Sequence, residues 1–340
     1  VDPLASGIDA LDRNTALNAP AGSVQPESGY TPVMQSTVPT RRLGRTNETV
    51  SMVALGGAHV GAAAVSEVEA VHLMHSAIDA GITFFDNCWD YNGGRSEERM
   101  GQALGVLGYR KRVFLMTKFD GRDRRTATAQ LDESLRRLQT DHVDLWQMHE
   151  NIRPDDADHL FASGGAIEAM LAAQQAGKVR FLGFTGHKNP AYHVHMFEVA
   201  AQNGFVFDTV QMPLNVMDAH FQSFEKHVIP VAQQTDTAVL AMKTFGDHHI
   251  LDARVVAPLQ MLHYSMNLPV ATVVTGIDSM ATLHQAVTAA VSFRPLSEAQ
   301  VASMLARSAP LSIDGVTERY KTTHEFDGTI ANPEWLGAPL

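Results

Sequence analysis

Ile82–Glu98 reads ITFFDNCWDYNGGRSEE. Its apolar opening breaks off at Asp86, Tyr91 stands five residues on in a loop with two glycines, and Ser96-Glu97-Glu98 opens a helix. This is the pattern of a strand that delivers an acid to a rim. Two later apolar runs end the same way, VFLMTK at Lys118 and VDLWQMH at His149. Working outward from Val50, short runs rich in Val, Ile, Leu, Phe and Met alternate with helical segments at intervals of about 30 residues, the rhythm of βα units. Eight strands are predicted: VSMVALGG, ITFFDNC, VFLMTKF, VDLWQMH, VRFLGFTG, TVQMPLN, TAVLAMK and ATVVTGI. Strands apolar on nearly every residue are buried on both faces, as in a parallel sheet covered by helices. Eight of them predict an α/β fold, a closed (β/α)8 TIM barrel. A doubly wound sheet would instead carry G-x-G-x-x-G after its first strand, where this chain has Gly56-Gly57-Ala58-His59.

Between the strands, Ser66 with Glu69 and Ser297 with Gln300 read as helix caps. Helices are expected from Ala166 to a stop at Gly177 and from Pro190 to Gly204. Residues 1–39 are rich in Pro, Ser, Gly and Ala, which predicts an extended or partly disordered arm. A barrel over 40–310 follows, with an extra helix after the last strand and an irregular tail over 311–340. A net charge of −11 without a basic block argues against nucleic acid or an anionic membrane surface as partner. No apolar run approaches the roughly 18 residues of a membrane span. Cys88 is the one cysteine, so an internal disulfide, a cysteine zinc site and an iron-sulfur cluster are excluded within a chain. Composition leaves a cytoplasmic site and export equally open, and oligomeric state is not legible.

In a barrel of this kind, groups at the carboxyl ends of strands converge on one mouth. The Asp86-to-Tyr91 spacing, the following Gly-Gly and Ser-Glu-Glu, and Lys118 and His149 closing the next two runs closely resemble the aldo-keto reductases, over roughly Thr40–Phe293. The resemblance implies an NAD(P)-dependent oxidoreductase acting on an aldehyde, a ketone or the corresponding alcohol. Tyr91 would be the general acid, Lys118 the group that lowers its pKa, Asp86 the lysine's partner, and His149 the residue that orients the carbonyl. It also implies that TRRLGRT is one arm of a hairpin plugging the barrel bottom and that the tail folds over the mouth. No metal is implied.

Cofactor contacts depart from the family pattern. Gln211 matches; Thr185 stands for a serine, and His187 for an asparagine with altered geometry. Met242-Lys243-Thr244-Phe245-Gly246 replaces Tyr-Ser-Pro-Leu-Gly, with Lys243 set to meet pyrophosphate. Gly57 after the first strand and Gly276, Asp278 and Ser279 after the eighth complete the expected nucleotide contacts. An acid at Asp278, where phosphate-binding members often carry Arg or Lys, leaves NADP and NAD equally expected. His59, Trp89 and Glu150, with Asn87 and Asp90, predict a polar substrate lining suited to a sugar or polyol. Three other readings stand beside this one. A barrel glycoside hydrolase would use Asp86 and Glu150 as its carboxylate pair. A nicotinamide-sensing partner protein would bind without rapid turnover, and a redox-neutral enzyme of epimerase type would hold its nicotinamide permanently.

Overall fold

The computed structural model describes residues 37–337; the expected arm over 1–39 lies almost wholly outside the described residues. A hairpin comes first, with β1 (Thr40–Arg42) antiparallel to β2 (Thr49–Ser51) and Thr40 opposite Ser51. Eight parallel strands follow: β3 (Val53–Gly56), β4 (Phe84–Asp86), β5 (Phe114–Phe119), β6 (Val143–Met148), β7 (Val179–Thr185), β8 (Thr209–Pro213), β9 (Ala238–Met242) and β10 (Thr272–Gly276). Each pairs with the next, and β10 pairs with both β9 and β3, closing a (β/α)8 barrel.

The expected first strand, VSMVALGG, divides into two elements. Ser51 ends the hairpin and spends its hydroxyl on Val53 O (2.7 Å) and Thr83 N (2.9 Å), so the chain turns at Met52 before entering the barrel. The hairpin is the plug: Leu43 and Val50 are fully buried in one cluster with Ala54, Phe84, Phe114, Leu145, Leu240 and Val274. Gly44 permits this approach, since its φ is 50° and a Cβ there would lie 2.5 Å from Asp236 O.

Side chains two residues apart on a barrel strand share a face. Phe84 and Met116 fill the interior, so Asp86 and Lys118, two residues further on, open on the same axis at the carboxyl end. The larger apolar cluster lies between the strands and the helix ring. Local capping sets several helix starts. Ser66 accepts from Glu69 N, Asp123 from Thr126 N, Asn189 from Ala191 N and Ser297 from Gln300 N.

The extra helix runs Glu298–Ser312, straight through Pro310. A proline in the last turn removes only one hydrogen bond, so it does not end the helix there. The segment after it is not irregular throughout. Short helical turns at Ile313–Gly315, Arg319–Thr322, Gly328–Ala331 and Pro333–Leu336 carry the chain across the mouth.

Candidate active site at the barrel mouth

Lys118 is the hub. Its ammonium is buried, ion-paired with Asp86, and donates to Asn87 O at 2.9 Å and Tyr91 Oη at 3.2 Å. The second oxygen of Asp86 accepts from Gln211 Nε2 at 2.8 Å. The ring of Tyr91 meets that of His149 edge to face, with centroids 5.9 Å apart. Asp86, Tyr91, Lys118 and His149 thus converge from β4, β5, the end of β6 and the loop after β4.

The phenol departs from expectation. Burial, followed by the charges of Asp86, Asp90 and Asp120, pushes the Tyr91 pKa well above its ordinary value. Lys118 donates to the phenol oxygen, but burial and the surrounding acids outweigh that contact.

Asp120, one residue past β5, is a site residue that the strand-end rule misses. Fully buried, it faces His149 Nδ1 with Oδ1 at 3.1 Å and receives Trp89 Nε1 on Oδ2 at 2.5 Å, while Gln130 holds its amide. Burial opposes charge on His149, but the charge and hydrogen bond of Asp120, helped by Asp90 and Glu150, raise its pKa above the usual value. Cys88 Sγ lies 3.3 Å from the same nitrogen, and burial with the charges of Asp90 and Asp120 raises the thiol pKa, so it stays protonated. Cys88, Asp90, Asp120 and His149 bring potential ligand atoms within 4.8 Å of one another. In that grouping, His149 Nδ1 is already engaged by Asp120.

Two expected site residues serve the tail instead. Glu150, in a left-handed conformation (φ 51°), accepts from Gly328 N (2.7 Å), Thr329 N (2.7 Å) and the Thr329 hydroxyl (2.6 Å). Arg122 secures that turn by donating to the carbonyls of His149 and Glu150. With Glu150 spent and Asp86 held by Lys118 and Gln211, the carboxylate pair of a glycosidase is not formed. His187 Nε2 pairs with Asp327 Oδ1 at 3.0 Å rather than facing a nucleotide, and burial lowers its pKa. Lys188 and His324 take the other oxygen of Asp327 at 2.8 and 2.7 Å.

The tail continues over Trp89, which meets Trp335 edge to face at 5.5 Å, and reaches Arg122 N through Leu336 O. At its start, Lys321 is buried with Asp218 (2.7 Å) and Glu318 (3.0 Å), and Tyr320 Oη bridges Glu318 and Asn215. Asn87 turns away from the mouth, its amide nitrogen reaching Met100 Sδ in the core.

The other side of the mouth is open. A cavity of about 400 Å³ runs from Asp86 and Tyr91 past Gly57, His59 and Met242 to Gly276, Asp278, Thr282 and Gln285. Among the described residues, Gln211 Oε1 at its floor has no partner, nor does Thr185 Oγ1 on the neighbouring strand β7, paired with Gln211 in register. Two orphaned acceptors beside the tetrad fit the amide of a nicotinamide. At the far end, Ser279 caps the helix Met280–Ser292, and the hydroxyl of Thr282 takes the amides of Asp278 and Ser279, both at 3.1 Å. The glycines have steric work: a Cβ on Gly57 would lie 2.6 Å from Asp86 O, one on Gly276 2.6 Å from the His59 ring, and one on Gly246 2.4 Å from Ile250.

A closed parallel barrel with a buried Asp-Lys-Tyr relay and a histidine at its carboxyl end defines an aldo-keto reductase type of site. The Aldo/keto reductase family model matches residues 52–263, and the chain belongs to that family. It is 28% identical over 221 residues to Aldo-keto reductase YhdN of Bacillus subtilis (strain 168), covering 62% of this chain and 60% of that protein. It is 33% identical over 155 residues to L-galactose dehydrogenase of Arabidopsis thaliana, covering 43% and 48%. The chain therefore spans about half to three-fifths of these relatives' length. The fold is shared with the holo form of aldo-keto reductase AKR11C1 from Bacillus halodurans, with a TM-score of 0.66, 21% identity, and coverage of 79% of this chain and 96% of that one. No helix among the described residues is long and apolar enough to cross a membrane.

Proposed function

We propose that the protein is an NAD(P)-dependent oxidoreductase that reduces an aldehyde or ketone, or oxidises the alcohol, with Tyr91 as proton donor. The observation that carries this reading is the single ammonium of Lys118 shared by Asp86 and Tyr91 at the edge of an open cavity. A bound nicotinamide supplies the hydride. Tyr91 passes its proton to the carbonyl oxygen, which becomes more basic than a phenolate as charge develops, so a high phenol pKa does not block transfer. Lys118 then faces the phenolate, and Asp86 keeps that lysine charged and in place. Asp120 accepts from His149 Nδ1 and favours the protonated ring, whose Nε2–H is then free to donate to the carbonyl oxygen.

Gln211 and Thr185 are the residues that would hold the carboxamide. Among the described residues Lys243 is the one Lys or Arg lining the cavity, and the far end closes on itself through Asp278, Ser279 and Thr282. This supports NAD over NADP, because a 2′-phosphate would meet an acid and no cation. The polar rim, together with a sugar-oxidising relative, supports a sugar or polyol as substrate. Fluorescence titration with NADH and NADPH tests the class: saturable binding with NADH tighter is expected, and binding of neither would overturn the reading.

A further inference from the structure

Four lysines stand at the mouth or in its roof, and three have their anion: Lys118 has Asp86, Lys188 has Asp327, and Lys321 has Asp218 and Glu318. Lys243 has none. Among the described residues its ammonium makes no ion pair and no hydrogen bond, and sits instead 4.8 Å from the ring centre of Phe326 and 5.3 Å from that of Tyr320. Two rings at that range stabilise a cation while leaving its N–H donors unspent.

The side chain is aimed by its backbone. Lys243 has φ 56°, a conformation that residues with a Cβ seldom adopt, and its carbonyl is held by Asn215 Nδ2 at 3.1 Å and Gly246 N at 2.9 Å. Burial pushes the ammonium pKa below its usual value; Asp247, Glu150 and Asp327 counter this only through space, and Lys118 adds to it. Of those acids, Glu150 and Asp327 are committed to the tail. A partly buried cation with free donors, on the cavity wall shared with Tyr91 and met by Asp247 only through space, has no direct counter-charge among the described residues.

We infer that Lys243, cradled by Tyr320 and Phe326, is an anion-binding residue of the mouth, and that the substrate brings a carboxylate to it, as a uronate-type sugar would. The choice of substrate rests on the reductase reading above; the anion site does not. The diphosphate of a nucleotide has the same chemistry. The substrate is favoured because the cradle belongs to the tail, whose Tyr320 also stands against His187, with centroids 6.3 Å apart, so that Lys243 sits where the roof meets the open cavity.

Calorimetric titration of galacturonate and galactose, which differ only at C6, into wild-type protein and Lys243→Met with saturating NADH separates these cases. Lys243→Arg and thermal melting serve as charge and folding controls. Galacturonate should bind wild type at least about tenfold more tightly than galactose, as expected for a charge-assisted contact. Lys243→Met should abolish that preference, Lys243→Arg should restore most of it, and NADH affinity should change less than about twofold. Absence of galacturonate binding, or equal losses for both sugars, would overturn the site. A tenfold loss of NADH affinity with the sugar preference intact would assign Lys243 to the diphosphate and overturn the substrate assignment. Lysine-dependent galacturonate binding with neither sugar turned over by NADH or NADPH would support the anion site and count against the reductase reading instead.

Discussion

Over β4 to β8 the mouth is closed by the chain's own end, while over β9, β10 and β3 it is open. In the closed half, Glu150, His187, Lys188 and Arg153 are all spent on residues 323–329. In the open half, the cavity walls include glycines, His59, Met242, Lys243, Phe245 and a helix start that caps itself. In the proposed reaction, the closed half contributes the groups that would meet the carbonyl, and rigidity there would favour it. In the same reading, the open half would admit the nucleotide. Polar groups at one rim therefore do different work: those of the closed half hold the protein to itself, and those of the open half are left for something else.

The sharpest way to break this contrast is Tyr91→Phe. Turnover should fall by about 10²–10⁴ with nucleotide affinity nearly unchanged, read by steady-state kinetics beside fluorescence titration; equal losses in both would mean that the two halves are not separable. Glu150→Gln comes next. It replaces a carboxylate that accepts three hydrogen bonds, each contributing about 1.5–3 kcal/mol, so hydrogen exchange at Gly328 and Thr329 should accelerate and denaturant stability fall by about 2 kcal/mol or more. Nucleotide binding should change little. Asp120→Asn should move the His149 pKa down, since the charge that raised it is gone, and carry the alkaline limb of the reduction pH profile to lower pH. An unmoved profile would remove Asp120 from the positioning of His149.

The smallest effect is the pH dependence of the tail. Burial opposes the charge of Asp327, but His187, Lys188 and His324 hold its carboxyl down at about 2. A depressed acid contributes stability above its unfolded value, near ~3.9, and loses it as pH falls through about 2. Burial raises Glu318 to about 7 against the opposing charge of Lys321. A raised acid contributes stability that is complete below its unfolded value, near ~4.3, and is lost as pH rises through about 7. Exchange protection over 318–329 should be greatest near about pH 4 and weaken on both sides. A flat profile would show that neither carboxyl is coupled to docking.

The barrel was legible because its signals are local: doubly buried strands read as unbroken apolar runs, and a charged residue that ends one marks the rim. Asp86, Lys118 and His149 announce themselves that way. Asp120 does not, because Phe119 still belongs to β5 and Gly-Arg-Asp after it reads as loop and cap; the available signal was a carboxylate two residues past the lysine, on the same face. Glu150 and His187 were misread for a different reason. Their partners lie 178 and 140 residues away, and no periodicity encodes contacts at that range. A polar residue at the rim shows where it stands, not whether the chain will return to claim it.

The plug and the roof come from opposite ends of the described residues. A circular permutant joining residue 37 to residue 337 would need a linker as long as the barrel is tall, about 20 Å, hence at least about six extended residues. New ends cut into any helix–strand loop would leave both stoppers tethered by that linker, so the length of one artificial segment would set how well each end of the barrel stays shut.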